Sequence, residues 1–288
     1  MKDYIELTKP RITWLILMST GVGYFFGGQS GWHGLGGFDW LKLIHTIIGT
    51  GLIASGTAAL NQWYEREADA KMRRTQGRPL PSGRLDAGKA LIFAIAISVV
   101  GFVELWFGAN ALTALLGLVT LLFYLFVYTP LKQRSPHSTT VGSIPGAMPP
   151  LIGFAAASGT LTWNAWVLFA ILLLWQFPHF YAIAWMYKED YARAGIRMLP
   201  VVEPDGKSTA RRILLYSIAL IPISLMPKFF AMTGDFYLYG ALALGIVFLY
   251  YGLRIRTDRT PQQARRVLLA SVVYLPVLFS LMLFDRPA

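Results

Sequence analysis

Apolar runs of about 20 residues recur along nearly the whole chain, each long enough to cross a bilayer as a helix. They fall near residues 12–28, 42–63, 89–107, 110–128, 139–158, 164–187, 212–231, 235–253 and 265–284, which predicts nine transmembrane helices. The fifth run is the weakest, because Pro145, Pro149 and Pro150 interrupt it. Only 14% of the residues are charged, against roughly 25% in soluble domains. The 27 glycines and 16 prolines lie largely inside apolar runs, a pattern membrane helices tolerate because neighbouring helices satisfy the freed backbone groups. The expectation is an all-α, polytopic bundle forming one unit over residues 1–288. Met1 to Lys9 is too polar for a signal peptide, so the run from Ile12 is expected to remain as the first span.

The net charge of +11 raises nucleic acid as a partner, but the basic residues sit in short loops between apolar spans and form no continuous soluble face. Nucleic-acid binding is therefore not expected; the partner is the lipid bilayer. Taking the amino terminus and every second loop as one set, 23 of the 26 Lys and Arg residues lie on one side, leaving Lys42, Lys228 and Arg286 on the other. The positive-inside rule then puts the amino terminus in the cytoplasm and, with nine spans, the carboxy terminus outside, in a cell (inner) membrane. The absence of cysteine excludes disulfides, thiolate metal sites and a cysteine nucleophile.

At the cytoplasmic end of the second span runs NQWYEREADAKMRRTQGRPLPSG. Asn61, Glu65 and Asp69 recur every four residues, so they drift only about 80° around a helix and form one stripe roughly 12 Å long. Carboxylate and amide oxygens in such a stripe suit Mg²⁺, a hard ion that keeps several waters and is commonly shared with substrate phosphates. Arg73, Arg74 and Arg78 follow at once, offering forked donors for phosphate oxygens. The competing reading is a solvated helix end whose acids pair with neighbours such as Arg66 and Arg73. Asn61 weighs against it, since a polar side chain inside the bilayer boundary is costly. His179, in the sixth span, is a functional candidate for the same reason; in an unbroken helix it would share a face with Asp190, about 16 Å deeper. A hydrogen-bonded structural histidine is the alternative there. His137, in a loop, is a weaker candidate, and Glu104, near the outer end of the third span, receives no role.

These segments resemble the UbiA-type prenyltransferases, whose first motif has the form NDxxDxxxD: Asn61, Glu65 and Asp69 match its first, third and fourth polar positions, with Gln62 at the second. Glu at the middle position, followed by DxxxRRTxxRPxxxG from Asp69 to Gly83, is similar to the haem O synthase branch and unlike the enzymes that act on aromatic acids. Tyr128 and Lys132 match a YxxxK element in which the lysine helps to bind diphosphate; otherwise they read as an interfacial anchor and a topology charge. In WQFPHFYAIAWMYKEDYARAGIRMLPVV the spaced aspartates of the second motif are replaced by Tyr187 and Tyr191, leaving Glu189 and Asp190 between them. The resemblance implies Asp190 as the second acidic anchor, with Arg193 and Arg197 as candidates for phosphate or haem propionates. It covers nearly the whole chain from the LTKPR segment at Leu7 to Arg11, more weakly in the last three spans.

The resemblance further implies farnesyl diphosphate and haem B as substrates, Mg²⁺ as the metal, haem O as product, and terminal oxidase assembly or haem A synthase as partners downstream. His179 is then the candidate for the haem macrocycle. Two other readings remain open at this point: a UbiA-type enzyme acting on an aromatic quinone precursor, and a membrane transporter. A transporter would place ionisable groups near the midplane, whereas these acids gather at one rim. A purely structural oxidase subunit would need neither the acidic stripe nor the arginine cluster.

Overall fold

A computed structural model describes residues 1–28 and 38–286, and every regular element among them is helical. A short amino-terminal α1 (Lys2–Leu7) leads into α2 (Pro10–Gly27), followed by α3 (Trp40–Ala70), α4 (Ala87–Gly108) and α5 (Ala111–Phe123). A π-helical turn over Tyr124–Tyr128 joins α5 to α6 (Thr129–Arg134), and α7 (Ser138–Gly146) and α8 (Pro149–Ser158) come next. The remainder is α9 (Trp163–Met186), α10 (Lys188–Arg193), α11 (Leu199–Val202), α12 (Lys207–Phe229), α13 (Asp235–Thr257) and α14 (Pro261–Phe284).

Seven of these segments are long and apolar enough to cross a membrane: α3, α4, α5 continued through α6, α9, α12, α13 and α14. The other two expected spans are α2, which has 18 residues, and the pair α7 and α8. The fifth expected span is thus two half-length helices. Pro149 and Pro150 open α8 where they have no N–H to donate, and the chain breaks at Ala147–Met148 just before them. Proline also explains the π-helical turn. Pro130 lacks a donor and its ring would press on the carbonyl four residues back, so the helix widens locally, and the Thr129 hydroxyl donates to the Tyr124 carbonyl at 2.8 Å.

Outward faces carry exposed Ile92, Phe107, Phe126 and Val273, which suits lipid as solvent. Inward contact rests on small residues. A Cβ built at Gly23 would overlap the Pro150 carbonyl, one at Gly153 the Thr20 carbonyl, and one at Gly27 would come within 2.5 Å of the Phe154 carbonyl. Helices α2 and α8 therefore touch backbone to backbone, which lipid, as apolar as the side chains it replaces, rewards through packing. Helix α3 has 31 residues, roughly 46 Å at 1.5 Å per residue, about 16 Å more than the hydrocarbon core. The acidic stripe lies in the last three turns of this over-long helix, at the end that the span length leaves in surplus.

The glycine contact generates a test by thermal unfolding in detergent. Gly153→Ala should destabilise the protein by about 1–3 kcal/mol, as overpacking does, while Gly21→Ala, with open space around its Cβ, should be near neutral. Equal melting temperatures for the two variants would contradict the backbone contact.

Candidate active site

The three stripe residues of α3 are buried: Asn61 is 2%, Glu65 8% and Asp69 1% exposed. A solvated helix end would leave them open, and a buried carboxylate demands compensation. That compensation comes from other segments. Both Glu65 oxygens accept from Lys132 Nζ on α6, at 2.9 and 3.1 Å. Asp69 Oδ2 accepts from Arg78 at 2.6 Å. Asn61 donates to Thr129 Oγ1 at 3.3 Å. Arg66, an expected local partner, turns instead to the Trp63 carbonyl and to Glu67.

Asp190 joins the same rim from α10. Its two oxygens accept from the backbone amides of Arg73 and Arg74, at 3.3 and 3.4 Å, and from the Arg193 side chain. Arg74 lies over the rings of Tyr187 and Tyr191, 4.9 and 5.8 Å from their centroids. The α10–α11 loop is pinned to α6 as well, since the Arg197 amide donates to the Lys132 carbonyl at 2.9 Å. Lys132 also lies over the Tyr128 ring at 4.6 Å, and Gly142 leaves room for that ring. Acid stripe, arginine loop, YxxxK element and second acidic segment thus meet at one end of the bundle. Two sequence candidates stand apart. The Arg197 side chain is exposed. His179 stacks on Trp175 and pairs through Nδ1 with Ser271 Oγ of α14 at 2.8 Å. Helix α9 stops at Met186 and α10 restarts at Lys188, so the continuous face relating His179 to Asp190 in an unbroken helix is interrupted at Tyr187.

Lys9 is a rim residue that sequence reasoning passed over. Its ammonium reaches Asn61 Oδ1 at 3.4 Å. The backbone there is left-handed, at φ 48°, an uncommon conformation for a non-glycine residue and more so before a proline. Surrounding contacts hold it: Gln62 Nε2 donates to the Leu7 carbonyl at 2.7 Å, and Arg84 ties Asp3 and Glu6 of α1 to the loop after α3. Burial, then the charges of Arg78 and Lys132, pull the Lys9 pKa from 10.5 down to about 7. The only sequence signal was the LTKPR segment itself.

Among the described residues, no three acidic or histidine side chains converge closely enough to enclose a metal ion. The donors are nonetheless the hard oxygens Mg²⁺ prefers, and each acid is held by a cation that an incoming metal could replace.

The buried pair of Asp69 and Arg78 predicts a coupling. Arg78→Gln should leave an uncompensated buried carboxylate and lower stability by about 3–5 kcal/mol; adding Asp69→Asn should recover most of that loss in thermal unfolding. Additive losses in the double variant would show that the two side chains act independently.

Residues 17–277 match the model of the UbiA prenyltransferase family. The chain is 68% identical to the protoheme IX farnesyltransferase of Solibacter usitatus (strain Ellin6076), covering 100% of this chain and 99% of the relative. It is 47% identical to the protein of that name from Koribacter versatilis (strain Ellin345), over 99% and 94%. In fold it resembles a digeranylgeranylglyceryl phosphate synthase, with a TM-score of 0.80 at 18% identity over 99% of this chain and 97% of the other. It also resembles a UbiA homologue from Archaeoglobus fulgidus bound to DMAPP and Mg²⁺, with a TM-score of 0.65 at 16% identity over 97% and 99%. The chain belongs to the UbiA prenyltransferase family, in its protohaem IX farnesyltransferase branch.

Proposed function

We propose that the chain transfers the farnesyl group of farnesyl diphosphate to a vinyl group of haem B, with addition of water, to give haem O. The observation that carries this reading is the rim itself, where three buried carboxylates of α3 and α10 are paired with Lys132 of α6, Arg78 of the loop after α3 and Arg193 of α10, combined with relatives named for that reaction. Asn61, Glu65, Asp69 and Asp190 would hold Mg²⁺, which would neutralise the charge developing on the diphosphate. Lys132, Arg78 and Arg193, released from their carboxylates, would turn to phosphate oxygens, joined by Arg73, Arg74 and Lys9, with Tyr128 supporting Lys132. The carbon–oxygen bond of the allylic diphosphate breaks and diphosphate leaves with the electron pair. The terminal vinyl carbon bonds to farnesyl C1. Water captures the porphyrin-stabilised cation and releases a proton. The bundle keeps other water from the first cation.

His179 is proposed to serve the haem side. Its Nδ1 is committed to Ser271, and among the described residues Nε2 makes no hydrogen bond to the protein. Arg197, exposed beside the rim, is the matching candidate for a propionate. The 23 basic residues on one side favour a cytoplasmic rim and amino terminus, with the carboxy terminus outside. All five basic segments meet near this rim, the last through the bond from Trp185 Nε1 to the Arg259 carbonyl at 3.0 Å. The haem O product would feed haem A synthesis or terminal oxidase assembly.

Purified variants assayed with haem B, farnesyl diphosphate and Mg²⁺ test the assignment. Glu65→Gln and Asp69→Asn should each lower turnover at least about tenfold at equal amounts of folded protein. Near-normal, Mg²⁺-dependent turnover in both would make the stripe structural. In titrations, His179→Ala should weaken haem binding and spare farnesyl diphosphate, while Arg73→Ala should do the reverse; normal haem binding and turnover in His179→Ala would remove the histidine from the site. For orientation, a carboxy-terminal reporter fusion should be active only outside the cytoplasm, and cytoplasmic activity would overturn the topology.

A further inference from the structure

On the lipid-facing side of the bundle a slot of about 310 Å³ runs between α13 and α14, lined by none of the rim residues. Its floor is Phe248 and Tyr274, both buried, and its walls include the exposed Val247, Leu269 and Val273. At the end where α13 finishes and α14 begins, it meets a polar recess of about 330 Å³. Tyr251 and Arg266 line both spaces, and Tyr250, Arg254 and Gln263 complete the recess.

The recess is positively charged and uncompensated. From Arg254 to Arg266 the chain has five arginines and a single acid, Asp258. Asp258 Oδ2 already accepts from Thr260 and Gln263, at 3.3 and 3.2 Å. Arg254 makes no ion pair among the described residues, and Arg266 has only a long hydrogen bond to Gln263 Oε1 at 3.4 Å. A topology signal accounts for arginines in this loop, but not for their opening onto a hydrocarbon slot. An uncharged lipid-filled groove accounts for the slot, but not for two unneutralised guanidinium groups at its mouth. No carboxylate lines either space, so the donors proposed for Mg²⁺ at the rim have no counterpart here.

We propose that this groove is a binding site for an anionic phospholipid of the leaflet that faces the basic loops. Its phosphate would lie between Arg254 and Arg266 and an acyl chain along Val247, Leu269 and Val273. Basic pockets between membrane helices take anionic head groups in this way, each nearby arginine adding attraction that falls off over a Debye length. A bound lipid would brace the α13–α14 loop, whose Arg259 carbonyl accepts the indole N–H of Trp185, one residue before the end of α9. The site would thereby touch the segment that delivers Asp190 to the rim.

Native mass spectrometry of the purified full chain, with phosphatidylglycerol or phosphatidylcholine added, tests the site. Phosphatidylglycerol should be retained preferentially, and Arg254→Gln/Arg266→Gln should reduce that retention by about thirtyfold, the effect of two such arginines. Arg256→Gln/Arg265→Gln removes the same charge from the same loop outside the groove and should lower retention by at least about threefold less than the groove pair does. Ala270→Trp, which fills the slot without changing charge, should abolish the preference. Equal loss in both arginine pairs would reduce the effect to general electrostatics and overturn the site. So would a groove variant that keeps phosphatidylglycerol but loses haem B, which would make haem the occupant.

Discussion

Three carboxylates buried at one end of a membrane bundle must each find a cation, and the rest of the rim follows from that requirement. Glu65 draws in Lys132, Asp69 draws in Arg78, and Asp190 gathers two backbone amides and Arg193. Removing one partner of a buried pair costs about 3–5 kcal/mol because the other charge is left uncompensated, so the pairs dictate which side chains must meet where α3, α6 and the loop after α3 come together. The same pairs leave the site chemically ready. Each acid that would turn to a metal frees a base for an anion, so metal and diphosphate can enter by exchanging partners, without leaving a buried charge alone.

The scaffold meets a different constraint. With lipid as solvent, helices gain little from covering apolar faces and must gain from fit. Hence Gly23, Gly27 and Gly153 bring α2 against α8 with no side chain between. Prolines break the fifth span and widen the helix before α6. Thr129 and Lys132 follow that widened turn and contact Asn61 and Glu65, so an irregularity in a membrane helix positions polar groups.

Much of this was legible in the chain because it is local or periodic. Span positions follow from runs of apolar residues, the acidic stripe from a four-residue repeat, and the gathering of basic loops from alternation along the sequence. Pairings across long separations were not legible. Nothing local tells that Asp190 caps the amides of Arg73 and Arg74, more than a hundred residues away. Nor does the sequence of Lys9 show a left-handed backbone aiming its ammonium at Asn61, because that conformation is imposed by tertiary contacts of α1. The relation of His179 to Asp190 was beyond the sequence for a related reason: helical extrapolation assumes continuity, and α9 stops between them. Arg197 is tied to the rim through its backbone amide, a contact that its side-chain chemistry does not announce.

Family membership fixes the reaction type, while the acceptor is what separates the proposed activity from prenylation of an aromatic quinone precursor. Glu65 in place of an aspartate and tyrosines at 187 and 191 mark the departure from the aromatic-acid enzymes, and the high identity to farnesyltransferases of protohaem points the same way. Both proposed substrates are amphiphilic, which suits a polar rim set on an apolar bundle. The most direct measurement is mass spectrometry of haem extracted from membranes that contain or lack this protein, in a host with no other such enzyme. The account predicts a haem B derivative carrying one farnesyl group plus one water only when the protein is present. Unmodified haem B alone, with a prenylated 4-hydroxybenzoate accumulating instead, would contradict it.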